Sequence, residues 1–143
     1  MPTFIPPLLG LVGLVTAFII FRLVLSYSEG NAEVKRIGDL IHSGAMKFMR
    51  TEYVYLLIFV LVLTVLVYFA LNWQTAVAVV VGASSSALAG FIGMYAATKS
   101  NTRTAAAAQD KGPATALSIS FYGGSIMGLC VASLGLLGLG GLF

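Results

Sequence analysis

The sequence predicts an all-α, polytopic membrane protein with four transmembrane helices, and three observations support this fold class. Hydrophobic residues make up 59% of the chain and charged residues 9%, whereas a soluble domain carries about 25% charge. The mean hydropathy is +0.98, which implies more apolar surface than a soluble core of this size could bury. The formal charges fall only within residues 22–52 and 99–111. Because an ionised side chain in hydrocarbon costs several kcal/mol, the charge-free stretches are predicted to lie in a bilayer.

Four apolar runs are long enough to cross a membrane, and they divide a single membrane domain of residues 1–143. The predicted spans are residues 8–25, 53–71, 75–97 and 114–139. At a rise of about 1.5 Å per residue, each covers about 27 Å or more of a hydrocarbon core about 30 Å thick. Pro6 and Pro7 suit a helix start and not its interior. The first run lacks a basic leading segment and a small-residue cleavage site, so we interpret it as a retained helix and not as a signal peptide.

The basic residues predict the orientation. All eight Lys and Arg residues lie within or beside the connections formed by residues 26–52 and 98–113. The positive-inside rule places both connections in the cytoplasm and both termini outside. Trp73 near the outer boundary and Tyr95 near the inner one fit interfacial aromatic belts, as do Tyr53 and Tyr55. We therefore interpret the net charge of +3 as a topology signal, since no basic face with readout residues for nucleic acid is present.

Both cytoplasmic connections are predicted to be largely helical. Between residues 31 and 50, apolar residues recur at three- and four-residue spacing, namely Val34, Ile37, Ile41, Ala45 and Phe48. This pattern predicts an amphipathic helix that continues into the second span and extends into the cytosol. Asn31 is the expected N-cap, and Glu33 favours the first turn. The alanine-rich stretch 104–109 favours helix, and Gly112-Pro113 is expected to end it and to start the fourth helix.

The third and fourth spans carry small residues at helical spacing. One series is Ala78, Gly82, Ser86 and Gly90, with Ala89, Gly93 and Ala97 beside it; the other is Ser120, Gly124, Gly128 and Ala132. Small residues let membrane helices approach closely, so both series are predicted to be packing faces. The glycines are not followed by a Lys-Ser or Lys-Thr pair, so they do not indicate a phosphate-binding loop.

The sequence offers no catalytic, cofactor-binding or metal-binding residues. His42 is the only histidine, which excludes a His-based zinc site or a His-Asp relay within the chain, and we expect it to be solvated. Ser84, Ser85 and Ser86 have no base in the same span. The acids Glu29, Glu33 and Asp39 have the spacing of a solvated helix face. Cys130, the only cysteine, is expected to be a buried packing thiol.

Three segments, taken in order, resemble the membrane-integral, ion-pumping pyrophosphatases. Residues 82–94 carry a Gly/Ser-rich stretch closed by Gly-x-x-Gly-Met, and residues 96–108 continue with Ala-Ala-Thr, Asn, Arg-Thr and paired alanines. Residues 121–128 read Phe-x-Gly-Gly-x-x-Met-Gly, after Ala116-Leu117 and before a closing Leu-Gly-Leu-Leu-Gly. Residues 41–53 carry Ile-x-x-Gly-Ala-Met-x-Phe and then Arg-x-Glu-Tyr. The resemblance covers about residues 29–140, and the first span is similar only in being apolar.

This resemblance implies a pump that hydrolyses inorganic pyrophosphate and moves H⁺ or Na⁺ out of the cytoplasm. Members of the family are homodimers of sixteen-span subunits that use Mg²⁺ and in some cases K⁺. They bind pyrophosphate through Asp-rich and Lys-containing motifs on later, inner helices, and no such motif occurs here. The implied assignment is an N-terminal part of such a pump, in a bacterial plasma membrane or an acidic organelle membrane. Its four helices would serve as outer scaffold beside the remaining helices, and the 143-residue chain by itself is expected to be inactive.

Two other interpretations are compatible with four spans in a short chain. A small multidrug-type or proton-coupled transporter needs an ionisable group at membrane depth, and all five carboxylates lie in the two charged blocks. The sequence therefore disfavours a transporter. A small structural subunit of a larger membrane complex predicts the same small-residue faces, and it stays open.

Overall fold

The computed structural model describes residues 5–142 and places them in four α-helices. Helix α1 spans Ile5–Leu25, α2 spans Ala32–Ala70, α3 spans Trp73–Asp110 and α4 spans Pro113–Leu142. All four are long and apolar enough to cross a membrane, and no strand occurs between residues 5 and 142. The predicted fold class is confirmed.

Two helices are much longer than a bilayer requires. Helix α2 has 39 residues and α3 has 38, which corresponds to nearly 60 Å each, about twice the hydrocarbon thickness. Each runs without a break through a predicted span and a predicted cytoplasmic connection, as expected for residues 31–50 and 104–109. All charged side chains described here belong to residues 22–52 and 99–111, and we call this end of the bundle the charged end.

The helix boundaries follow from local sequence. The side chain of Asn31 accepts a hydrogen bond from the backbone N–H of Val34 at 2.9 Å, so the predicted N-cap is confirmed. Asn72 caps α3 in the same way through Thr75, and α3 therefore starts two residues before the predicted third span. Gly112 has a φ of +88°, a left-handed conformation that favours glycine, and it turns the chain from α3 into α4.

The helices pack in the order α2, α3, α4, α1, which differs from their order along the chain. Helix α2 contacts α3 alone among the described helices, and α1 packs mainly on α4 with a small contact to α3. The core lies between α1, α3 and α4, where Val24, Ile119 and Ile126 are fully buried. The membrane-spanning part of α2 has no buried residue, so this helix lies at one side of the described bundle.

Among residues 5–142, the predicted packing face of α4 contacts no other helix. Gly124 and Gly128 are exposed and no side chain from another helix lies within 4 Å of where a Cβ would stand, and Ser120 and Ala132 are exposed with them. The buried face instead carries Ala116, Ile119, Gly123, Ile126, Cys130 and Ser133. These buried residues recur at three- and four-residue spacing, and the isoleucines among them offer far more contact area than glycines do. One glycine of the set, Gly123, allows a close approach to Ser100.

The small-residue series of α3 is only partly a packing face. Ala89 and Gly93 are buried, and Gly93 approaches Met127 of α4. Gly82 and Ser86 are exposed. They line an open groove between the halves of α3 and α4 that lie away from the charged end. The two helices therefore meet closely toward the charged end and separate toward the other end.

Candidate functional site

The polar interactions of the described chain concentrate at the charged end, where α3 meets α2 and the α1–α2 connection. Arg103 is the centre of this cluster, because its side chain is only 7% exposed. Its Nη2 atom lies 3.0 Å from a carboxylate oxygen of Glu29. Its Nε atom donates to the Tyr27 carbonyl at 3.1 Å, and Nη1 donates to the Lys99 carbonyl at 2.9 Å. The guanidinium thus ties α3 to residues 27 and 29 with three different donors.

The α1–α2 connection is shaped to bring Glu29 to this arginine. Gly30 has a φ of +80°, in the left-handed region that favours glycine. A Cβ on Gly30 would stand 2.8 Å from the Ala106 side chain of α3, so the connection lies directly against that helix. The N–H of Gly30 donates to the Ser28 hydroxyl at 3.1 Å. Lys111 adds a cation over the Tyr27 ring, 6.0 Å from its centroid.

Glu29 is held in its ionised form by two cations. Lys35 Nζ lies 3.5 Å from the second carboxylate oxygen. Burial raises the pKa of Glu29, but the positive charges of Arg103 and Lys35 outweigh this effect and lower the pKa below its usual value. The expectation that Glu29 belongs to a solvated helix face is therefore wrong, since it lies before α2 and faces Arg103.

A second group of contacts joins α2 to α3 nearer to the predicted span. His42 Nδ1 lies 2.7 Å from Thr98 Oγ1, and the imidazole packs edge-on against the Tyr95 ring with centroids 5.0 Å apart. Lys99 Nζ lies 3.9 Å from an Asp39 carboxylate oxygen. Burial lowers the pKa of His42, the charge of Lys99 lowers it further, and Asp39 opposes them. His42 is thus a half-buried contact residue, and the expectation of a solvated histidine is wrong.

The contact face of α2 is offset from the predicted apolar stripe. Gly38, His42 and Met49 face α3, and the Tyr53 hydroxyl donates to the Ala87 carbonyl further along the same face. Ile37, Ile41 and Phe48, which belong to the predicted stripe, are exposed. The sequence signal for the contact face was the spacing of small and polar residues, which the pattern of large apolar residues concealed.

The geometry of this cluster suits a structural role, in which charged side chains hold helices together, and not a catalytic role. Glu29 and Asp39 each face a cation, and Glu33 pairs with Arg36 at 2.6 Å on the surface. Among residues 5–142, no three His, Cys, Asp or Glu side chains come together as metal ligands. Ser85 and Ser86 line the α3–α4 groove away from the charged end, far along α3 from the cluster. Cys130 is buried, with 3% exposure, as expected.

A comparison of this chain with known protein families agrees with the arrangement of four apolar helices that carry their charges at one end. The family described as inorganic H⁺ pyrophosphatase matches residues 11–143. The chain belongs to this family. It is accordingly an integral membrane protein, and the family that the sequence resembles is confirmed.

The names of individual pyrophosphatase relatives specify different transported ions. The chain is 36% identical over 142 residues to a K⁺-insensitive pyrophosphate-energized proton pump of Methanosarcina mazei, covering 98% of this chain and 21% of the relative. It is 40% identical over 133 residues to a K⁺-stimulated pyrophosphate-energized sodium pump of Thermotoga maritima, covering 92% of this chain and 18% of the relative. The chain thus spans about a fifth of the length of the curated pyrophosphatase relatives that it matches.

Proposed function

We propose that this chain is the N-terminal four-helix part of a pump that couples the hydrolysis of inorganic pyrophosphate to the transport of H⁺ or Na⁺. The observation that carries the proposal is the family match over residues 11–143, together with relatives named as pyrophosphate-energized pumps. These relatives are about five times longer than this chain, so most of the pump lies in other residues.

Within that pump, the four helices act as scaffold and not as the hydrolytic centre. The Mg²⁺ ions that hold pyrophosphate need carboxylates that are free to bind the metal, whereas Glu29 and Asp39 each face a cation here. The N–H donors of Arg103 reach Glu29 and two backbone carbonyls. This guanidinium therefore has a structural role. Hydrolysis and ion transport are thus assigned to the remaining helices, with Mg²⁺ and, in K⁺-stimulated forms, K⁺ bound there.

The coupled ion is not encoded in this part of the pump. The chain is similarly identical to a relative named as a proton pump and to one named as a sodium pump. A residue that selects the ion at membrane depth should be ionisable, and the one charged residue of the four predicted spans is Arg22, a cation near the end of the first span. We therefore place ion selection outside these helices.

The remaining helices of the pump are the proposed partners of the exposed faces. Large apolar residues such as Ile37, Ile41 and Phe48 are exposed at the charged end of α2, beyond the predicted second span. Apolar side chains outside the bilayer gain free energy when other protein covers them. Assembly with the rest of the subunit, and of two subunits into a homodimer, would provide such cover.

The proposal is tested by measuring Mg²⁺-dependent pyrophosphate hydrolysis in two preparations reconstituted into lipid vesicles. The first is the 143-residue chain, which we expect to be inactive. In the second, this chain is co-expressed with a pyrophosphatase relative from which the corresponding four-helix segment has been removed. We expect this combined preparation to hydrolyse pyrophosphate and to take up ions. Activity of the 143-residue chain alone would refute the scaffold role. Failure of the combined preparation, with both parts present and associated in the membrane, would count against membership in a working pump.

A further inference from the structure

An apolar groove opens where α1 and α3 diverge over α4. Its volume is about 380 Å³, within the range of pockets that hold small molecules. Phe18 and Phe21 of α1 form one wall, Phe91 and Tyr95 of α3 form the other, and Ile126 and Cys130 of α4 form the floor. Phe18 is 62% exposed and Phe91 is 42% exposed, so the groove is open on the side of the bundle. It narrows toward the charged end, where the Phe21 and Tyr95 ring centroids are 6.0 Å apart.

Two basic residues lie beyond the lining residues at the mouth of the groove, the end nearest the charged end. Arg22 follows Phe21 directly, lies one helical turn beyond Phe18, and is exposed. Its guanidinium has no ion-pair partner within residues 5–140. Lys99 lies one turn beyond Tyr95 on the opposite wall and is 3.9 Å from the exposed carboxylate of Asp39. The mouth thus combines two cations with one anion.

We propose that this groove binds an acyl chain of an anionic phospholipid whose phosphate lies beside Arg22. The lining residues belong to predicted spans, so an open apolar groove there faces lipid tails. Basic pockets between transmembrane helices bind anionic headgroups, and a guanidinium matches the geometry of a phosphate with paired donors. Lys99, already facing Asp39, adds a second positive charge across the mouth.

Selectivity for this lipid comes from the headgroup and not from the acyl chain. Lipid tails are as apolar as the groove, so moving a tail from the bilayer into the groove gains little free energy. The contribution of one basic residue near an anionic headgroup corresponds to about a fivefold preference over a zwitterionic lipid. The acyl chain therefore determines where the lipid binds, and Arg22 determines the preference for an anionic headgroup.

The proposal is tested with phosphatidylglycerol and phosphatidylcholine probes that carry a photoreactive diazirine in the acyl chain. The polypeptide that contains this segment is reconstituted with each probe and irradiated, and the labelled peptides are quantified by mass spectrometry. We expect phosphatidylglycerol to label the groove residues 91–95 and 126–130 about five times more than phosphatidylcholine. Residues 56–69 of α2, which do not line the groove, should be labelled equally by both probes.

A matched pair of variants assigns the preference to one side chain. Arg22→Gln should reduce the preference in the groove to about one, whereas Arg50→Gln, which removes the same charge from exposed α2, should leave it unchanged. In the unmodified protein the preference should fall as ionic strength rises. Equal labelling by both probes, or a preference that survives Arg22→Gln, would overturn the proposal. Labelling of α2 with none in the groove would show that another protein helix covers it, which would overturn it as well.

Discussion

The Nδ1 atom of His42 and the Oγ1 atom of Thr98 lie 2.7 Å apart and connect the two longest helices of the chain. Thr98 also hydrogen bonds to the Met94 and Tyr95 carbonyls, at 3.0 Å each. The Tyr95 ring packs on the imidazole, so His42 contacts both the hydroxyl and the ring of adjacent residues on the α3 surface. Since α2 has no other helix partner among the described residues, this contact is important for holding α2 in place.

Stability should depend on pH through His42. Burial and the charge of Lys99 lower the pKa of His42 in the folded state, while the unfolded value stays near the usual value of about 6.5. The unfolded state therefore binds more protons in this range, so the free energy of unfolding rises with pH and the contribution is lost as pH falls below about 6.5. We expect His42→Gln to flatten this dependence between about pH 5 and 7.5 in detergent micelles. An unchanged slope in the variant would contradict this interpretation, because the 143-residue chain has one histidine.

Replacing Arg103 by lysine should destabilise the fold. An ammonium group cannot reproduce the three donors that reach Glu29 and the carbonyls of Tyr27 and Lys99, and a carbonyl would be left without its partner. We expect Arg103→Lys to lower the free energy of unfolding by about 1–3 kcal/mol. The control is Arg36→Lys, which alters an exposed pair with Glu33 and should leave stability close to that of the unmodified chain. Equal effects of the two variants would show that Arg103 is not a clamp.

Gly38 marks a close approach of α2 to α3. A Cβ added there would stand 2.6 Å from Cγ2 and 2.9 Å from Cβ of Thr102, so the helices would have to move apart. Gly38→Ala should cost about 1–3 kcal/mol. Gly44→Ala on the same helix meets nothing within 4 Å and should be neutral or stabilising by up to about 1 kcal/mol. Thermal unfolding followed by the helical signal compares the two, and a Thr102→Ala change should partly rescue Gly38→Ala.

The predicted orientation can be measured with single cysteines in a Cys130→Ala background. Cysteines at Glu33 and Lys111 should react with a membrane-impermeant maleimide only from the cytoplasmic side, and a cysteine at Gln74 only from the opposite side. Right-side-out and inverted vesicles give the two accessibilities. The reverse labelling pattern would show that the termini lie in the cytoplasm.

Much of the fold follows from local sequence. The near-absence of charge from the four apolar runs, where Arg22 near the end of the first is the single exception, predicts the four membrane-compatible helices, because hydrocarbon rejects ionised groups irrespective of how the helices pack. Asn31 and Gly112-Pro113 specify helix boundaries through local hydrogen bonds and backbone conformation. The long helical extensions at the charged end were predicted for the same reason, since periodicity and capping act within one helix.

The helix faces that meet were not predictable in this way. In a bilayer, lipid and protein are equally apolar, so hydrophobicity does not distinguish a packing face from a lipid-facing one. Shape decides instead, and shape depends on the partner: Ile119 and Ile126 pack inward while Gly124 and Gly128 of the predicted face point outward. A single sequence contains no information about the neighbour until both helices are placed.

The sequence by itself determined a four-helix membrane chain with its charges at one end, and it carried the family resemblance. Tertiary structure alone decided that α2 packs on α3 and on no other described helix, that Arg103 holds Glu29, and that His42 faces Thr98. The physical reason is that expulsion of charge and helix capping act on each segment separately. A buried ion pair or a close helix contact exists only when residues as far apart in the chain as Glu29 and Arg103 are brought within hydrogen-bond distance.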